Sequence, residues 1–201
     1  KGSSKPVVPP VEAIAMHRLA FGPRPGDAES LRTQTLPAWL AKQLKPNDAE
    51  DTVVAQKLAE ARLHIEHGAG EDNGQKYPAV KEDRPLNLIG ADRATLWNVI
   101  AGPGPKVWQE KYRPLQELRA AAFIRAVHTK YQLREVLVHF WHDHFNVNAN
   151  VDDERCRVML PLYDREVIRR HALGNFREFL EAVATSVPML VYLNNNTSKA
   201  S

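Results

Sequence analysis

Four side chains between positions 139 and 144 are of the kinds that bind metals or move protons: His139, His142, Asp143 and His144. Imidazole nitrogen and carboxylate oxygen suit zinc, iron, copper or manganese, so the segment is a candidate site for a divalent transition metal. On a helix of about 3.6 residues per turn, His139, His142 and Asp143 fall on neighbouring parts of one face. His144 lies about 140° from His139 on that geometry, so it joins the others only if the helix ends near Asp143. Asn146, Asn148 and Asn150 follow and favour such an ending. Against a metal stands the spacing, which is no established signature of the His-Glu-x-x-His kind. Phe140, Trp141 and Phe145 mark an amphipathic helix end, where histidine serves the last carbonyls and the helix dipole.

The remaining reactive side chains read as structural. His171 precedes Ala172-Leu173-Gly174 in the last turn of a helix, a place for a cap or a core contact. Arg165, Arg169 and Arg170 read as a solvated face with Asp164 and Glu166 as partners. His64 and His67 are expected at a helix end facing solvent. The one cysteine, Cys156, excludes an internal disulfide framework and reads as a small buried side chain. There is no Gly-x-Ser-x-Gly elbow, and Ser186 has no base in sequence reach. No haem-attachment motif occurs, and Gly102-Pro103-Gly104-Pro105 lacks the Lys-Ser/Thr of a phosphate loop.

The elements that must position these groups read as helices. A lead-in over 1–10 precedes a helix with Ile14, Leu19 and Phe21, stopped by Gly22-Pro23. Asp27 is expected to cap a short helix, and Pro37 to open another that turns Trp39, Leu40 and Leu44 inward. Asn47-Asp48-Ala49-Glu50 has capping-box spacing and predicts a helix toward His64. Glycines and prolines among charges predict an exposed loop at about 66–85. A helix from Asp92 to Ile100 follows, and Pro114 is expected to lead into Leu115, Leu118, Ala122 and Phe123. Thr129 opens the helix that is expected to bury Leu133, Val136, Leu137 and Phe140. Asp164 is expected to begin a helix ending at Gly174. Asn175 caps the next, with Phe176, Phe179, Leu180 and Val183 as its apolar face, and Pro188 starts the last. No Asn-Gly hairpin and no sustained period-2 run is expected anywhere in the chain. The expected fold is all-α, an irregular multi-helix bundle with long loops.

The net charge of +3 is spread among 24 acidic residues, so no nucleic-acid footprint is expected. No apolar run approaches the ~20 residues that span a bilayer, so no transmembrane segment is expected. Lys1-Gly2-Ser3-Ser4-Lys5-Pro6 carries no signal core, leaving a cytoplasmic protein or a processed exported one. The polar stretch from Asn194 to Ser201 follows an apolar helix directly. Residues 11–201 are therefore expected to be the N-terminal helical part of a larger domain, its partner the C-terminal remainder of the same protein.

Four stretches resemble a bacterial family known as domain of unknown function 1800. They are His17-Arg18-Leu19-Ala20-Phe21-Gly22-Pro23-Arg24-Pro25-Gly26-Asp27, Trp39-Leu40-Ala41-Lys42-Gln43-Leu44, Phe140-Trp141-His142-Asp143-His144-Phe145-Asn146-Val147, and the run from Arg165 through Arg177 continuing at Pro188 to Asn194. The last two are the specific ones. The resemblance implies a longer protein, exported to the periplasm or beyond. It implies no settled activity, and since some relatives carry an aromatic residue at the place of His142, it shifts metal-binding weight to Asp143 and His144. Two functions follow as expectations: a metal-dependent enzyme whose site is completed by residues beyond 201, or a noncatalytic helical scaffold that binds a protein partner at the bacterial surface.

Overall fold

The computed structural model describes residues 9–149 and 153–198. Most of the lead-in, Asn150 and the last three residues lie outside them. The chain is mainly helical, with two short antiparallel β-ribbons set between its fourth and fifth helices.

Three helices open the structure: α1 (Val11–Leu19), α2 (Asp27–Gln34) and α3 (Leu36–Gln43). They close a small core of Ala15, Met16, Ala20, Leu31 and Trp39. Leu44, expected inside, is exposed just past the end of α3. Asp27 lies within α2; its carboxylate accepts from Arg24 N–H at 3.0 Å and leaves the cap position to Gly26. Asn47 does cap, but only a single 3-10 turn, through a bond from Ala49 N–H. Helix α4 (Thr52–Glu60) then stops short of His64.

The expected loop at about 66–85 is instead built of strands β1 (Arg62–His67), β2 (Gly70–Asp72), β3 (Gln75–Tyr77) and β4 (Val80–Pro85). β1 pairs antiparallel with β4, His64 opposite Asp83, and β2 pairs with β3. Asn73 and Gly74 turn the inner hairpin, both with positive φ (49° and 79°), which is the geometry a two-residue hairpin of the primed type requires. The alternation is present too: Leu63, Ile65 and His67 face inward while Arg62, His64 and Glu66 face solvent. Charged residues at both outward and inward ends disguise it. Arg84 ties the ribbon to the next helical layer by a two-pronged bond to Glu110 at 2.6 and 2.8 Å.

Helix α5 (Arg93–Ala101) lies where its sequence predicts a helix, and Asp92 caps it by accepting from Thr95 N–H at 2.7 Å. Helix α6 (Trp108–His128) begins six residues before Pro114, which sits inside it. As the seventh residue it lies past the four unpaired N-terminal donors, so the helix runs on at the loss of one backbone bond. Helix α7 (Gln132–His144) packs beside it. Helix α8 (Glu154–Tyr163) runs straight on through a π-turn (Asp164–Ile168) into a final α-turn, α9 (Arg169–His171). Asp164 therefore lies mid-helix rather than at a start. Helices α10 (Phe176–Ala184) and α11 (Val187–Tyr192) close the chain, with Asn175 accepting from Arg177 and Glu178 N–H as the cap of α10.

The largest core joins α6, α7, α8, α10 and α11 through Leu115, Leu118, Val138, Cys156, Leu160, Tyr163, Phe179, Val183 and Met189. A third cluster, Leu88, Leu96, Val158, Met159 and Leu162, seats α5 on α8. Polar bonds attach the opening helices to the start of α7: Gln43 donates to Lys130 O at 2.8 Å and accepts from Leu133 N–H at 3.1 Å.

Candidate functional site

A buried charge network lies where α6, α7 and the α8–α9 helix meet. Its centre is Asp164. In a regular α-helix Asp164 and Arg169 would point about 140° apart. The π-turn changes that, because Arg169 N–H bonds to Asp164 O five residues back and one extra residue is taken into the turn. The two side chains thereby share a face, and Arg169 Nε donates to Asp164 Oδ2 at 3.3 Å. Arg169 Nη1 reaches Glu135 of α7 at 2.6 Å, and Arg134 Nε donates to the same oxygen at 3.3 Å. Arg125 of α6 approaches Asp164 Oδ2 at 3.6 Å.

Burial by itself would push the Asp164 carboxyl up. The Arg169 guanidinium, a bond from His142 and the Arg125 charge outweigh it and hold the group well below the usual carboxylate range. Asp164 is therefore an ionised acceptor. His142 Nε2, at 2.9 Å from Asp164 Oδ1, must be the donor, which fixes the hydrogen on Nε2 and leaves Nδ1 as the ring's other nitrogen. Tyr163, next in the chain, sets its ring edge-on to His142 and gives its hydroxyl to Phe145 O at 3.0 Å, closing the end of α7.

His139, His142, Asp143 and Asp164 line one cleft of about 250 Å³ between α6 and α7, with Arg119 and Asn146 at its walls. The predicted residues do not converge further. The His139 ring lies edge-on to Phe21 with centroids 5.2 Å apart. His144 is turned away among aromatic rings, parallel to Phe140 at 5.9 Å and edge-on to Phe145 at 4.7 Å. Among the described residues no three His, Cys, Asp or Glu side chains are grouped to hold a metal ion. Asp143 and His142 share the cleft wall, while His144 does not reach it.

The aromatic residues of this helix end form a continuous cluster. Trp141 packs on Phe179 and Phe176, and its indole donates to Ala172 O at 3.2 Å. His171 stacks on Phe179 at 5.7 Å, the core contact its position implies. Phe140 and Phe176, expected inside, are more than half exposed on the outer side of this cluster.

The arginines of the supposed solvated face have three separate fates. Arg169 is inside the network, Arg165 donates to Ile89 O and Ala91 O, and Arg170 is exposed. Sequence reasoning missed Glu135, Arg125 and Arg134. A signal existed for Arg125, which falls on the Leu118–Ala122 side of its helix, a charge on a face otherwise read as apolar; Glu135 lies opposite Leu133 and Leu137, so the spacing did not mark it. Cys156 is buried against Pro188 O, and burial pushes its thiol up to about 11. His64 lies on β1 in an exposed cluster with Asp83 and Glu66.

These features define a mainly helical protein with a histidine-walled cleft backed by an internal ion network. The family model described as "Protein of unknown function (DUF1800)" matches residues 14–201, and the chain belongs to that family. No curated protein and no solved structure matches the chain. Among the described residues no helix is long and apolar enough to cross a membrane.

Proposed function

We propose that the protein is an exported bacterial enzyme that moves a proton in the cleft between α6 and α7, with His142 as the acid–base group. The observation that carries the reading is the His142 Nε2 bond to Asp164 at 2.9 Å. A buried carboxylate behind an imidazole holds its orientation and tautomer while the ring takes up and returns a proton. Asp164 is in turn fixed by Arg169, so the pair is held from behind while His142 lines the cleft. Asp143 and Arg119, also on the cleft wall, supply a carboxylate and a cation for orienting a polar substrate. Export to the periplasm or beyond is supported by the resemblance alone.

A divalent transition metal is the second form of the same reading. His139, His142 and Asp143 share the cleft, although they are not grouped to hold an ion as they stand and one would have to draw them together; a carboxylate bonded to the far nitrogen of a histidine is the usual arrangement behind a ligating imidazole. The noncatalytic scaffold reading rests on a different observation, the exposed Phe140 and Phe176 beside exposed Leu180, an apolar surface of the kind that marks protein contacts.

One pair of measurements separates these. The untagged protein and a His142→Ala variant, both checked for folding by circular dichroism, are incubated with a bacterial metabolite extract and the products compared by mass spectrometry. A metabolite consumed by the wild type and spared by the variant supports the enzyme. Identical profiles favour the scaffold. Elemental analysis after dialysis against zinc or manganese then decides the metal: stoichiometric metal lost in His142→Ala and Asp143→Ala supports it, and a metal-free protein removes it.

A further inference from the structure

On the side of the ion network opposite His142, two cavities meet at shared walls. The outer one, about 340 Å³, is lined by Arg134, Arg165, Arg169 and Arg170, with Asp48 as its one carboxylate. The inner one, about 150 Å³, is lined by Arg125, Thr129 and Glu135 among others, and it shares Asp48, Arg134 and Arg169 with the outer. Four guanidiniums against one carboxylate leave the outer wall three charges positive before the groups behind it are counted. Glu135 and Asp164 draw on Arg169 and Arg134 from the inner side, through Arg169 Nε and Nη1 and Arg134 Nε. Asp48 takes Arg134 Nη2 at 2.6 Å but is mostly exposed, so its charge is screened. Arg169 Nη2 and Arg134 Nη1 make no hydrogen bond among the described residues, and Arg170 has neither hydrogen bond nor ion pair there. Planar guanidiniums with free donors on one wall match the oxygens of a phosphate or carboxylate.

The inner cavity adds a second requirement. Arg125 Nη1 and Glu135 Oε2 are buried with no hydrogen-bond partner, Arg125 Nη1 having only its 3.6 Å approach to Asp164 Oδ2, and both residues line the inner cavity. Buried polar atoms are nearly always bonded, so an orphan pair of opposite character needs an explanation. A hydroxyl group serves both at once, accepting from Arg125 and donating to Glu135. An oxyanion alone does not, because it would face the Glu135 carboxylate.

We propose that the paired cavities bind a small hydroxylated oxyanion, its phosphate or carboxylate on Arg134, Arg169 and Arg170 and a neighbouring hydroxyl between Arg125 and Glu135. The site is independent of the His142 cleft as a binding site, although both lean on Asp164. Its ligand is of the class of sugar phosphates, polyol phosphates and hydroxy acids. The combined space suits a molecule of that size.

Titration calorimetry at fixed ionic strength tests it with glycerol phosphate, glycerate and methyl phosphate as probes. Saturable, one-to-one binding of glycerol phosphate or glycerate is expected at millimolar concentration, and whichever binds identifies the oxyanion as phosphate or carboxylate. Arg170→Ala touches no partner in the fold, so it is expected to stay folded and to weaken binding about tenfold, the size of one charge-assisted hydrogen bond. Methyl phosphate, which lacks the hydroxyl, is expected to bind more weakly than glycerol phosphate. Absence of saturable binding by either hydroxylated probe overturns the proposal, as does equal affinity in Arg170→Ala. Equal affinity for methyl phosphate overturns the assigned role of Arg125 and Glu135. None of these outcomes depends on turnover or on a metal.

Discussion

Asp164 is stable as an anion only because of what surrounds it. Arg169, His142 and Arg125 reach it from its own helix, α7 and α6. Its acid group is held below the ordinary range, so its contribution is fully present above the unfolded-chain value of about 3.9 and is lost as pH falls through the lower folded value. Asp164→Asn removes the charge and leaves buried guanidiniums uncompensated, a loss of about 3–5 kcal/mol for a pair broken on one side. Urea denaturation at neutral pH is expected to read that loss, and the gap between wild type and variant is expected to narrow below about pH 4. His64 is the opposite case. Bonds that its ring donates to Asp83 and then Glu66 raise its pKa, so the stabilisation belongs to the protonated ring, is present below about 6.5 and disappears as pH rises through the folded value. A proton NMR titration is expected to place its midpoint above that of a free histidine, and Asp83→Asn to bring it back down. Both side chains of that pair are exposed, so the shift matters for the ribbon surface rather than for folding.

At the scale of elements, caps were legible only in part: Asp27 lies inside α2, Thr129 stands before α7 rather than capping it, and Asp164 lies mid-helix. Asp92 and Asn175 do what their positions imply, because a cap is a bond between near neighbours and needs nothing distant. The ribbons were missed for a specific reason: β1 alternates, but the alternation carries His67 on its inner side and His64 on its outer side, so polarity hides the period. Asn73-Gly74 was the clear signal, and it fixes the hairpin through two positive φ values. Gly74→Ala forces a side chain into that conformation and is expected to cost about 1–2 kcal/mol locally. Amide hydrogen exchange is the measurement: faster exchange in β2 and β3 with little change in α6 is expected, and unaltered exchange in the hairpin would contradict the assignment. The π-turn belongs to this scale as well. It has no simple sequence mark, yet it decides that Asp164 and Arg169 meet.

Over the whole molecule the ion network joins helices that the apolar pattern treats separately. Arg125, Arg134, Glu135, Asp164 and Arg169 connect α6, α7 and the α8–α9 helix through shared oxygens. Groups that share partners are expected to be non-additive, with interaction energies of about 0.5–3 kcal/mol. A double-mutant cycle of Glu135→Gln and Asp164→Asn, followed by denaturation, is expected to show coupling in that range, since Arg169 bonds to both. Strict additivity would mean that the two carboxylates act alone. The same network stands behind both the His142 cleft and the arginine-walled cavities, so loss of its rigidity would be felt on both sides.

The residue order alone determined that the chain would be mainly helical, where several helices begin, and that one helix end would gather histidine with aromatic rings. Those are consequences of spacing along a single element, where each side chain's neighbours lie within a turn. That His142 of the cluster acquires a carboxylate partner was decided by a contact 22 positions away, and the π-turn that brings Arg169 behind that carboxylate is not encoded by local preference. The arginines were likewise sorted by packing: neighbours on a helix point about 100° apart, so the face that turns Arg169 into the core ion pair leaves Arg170 as an exposed charge.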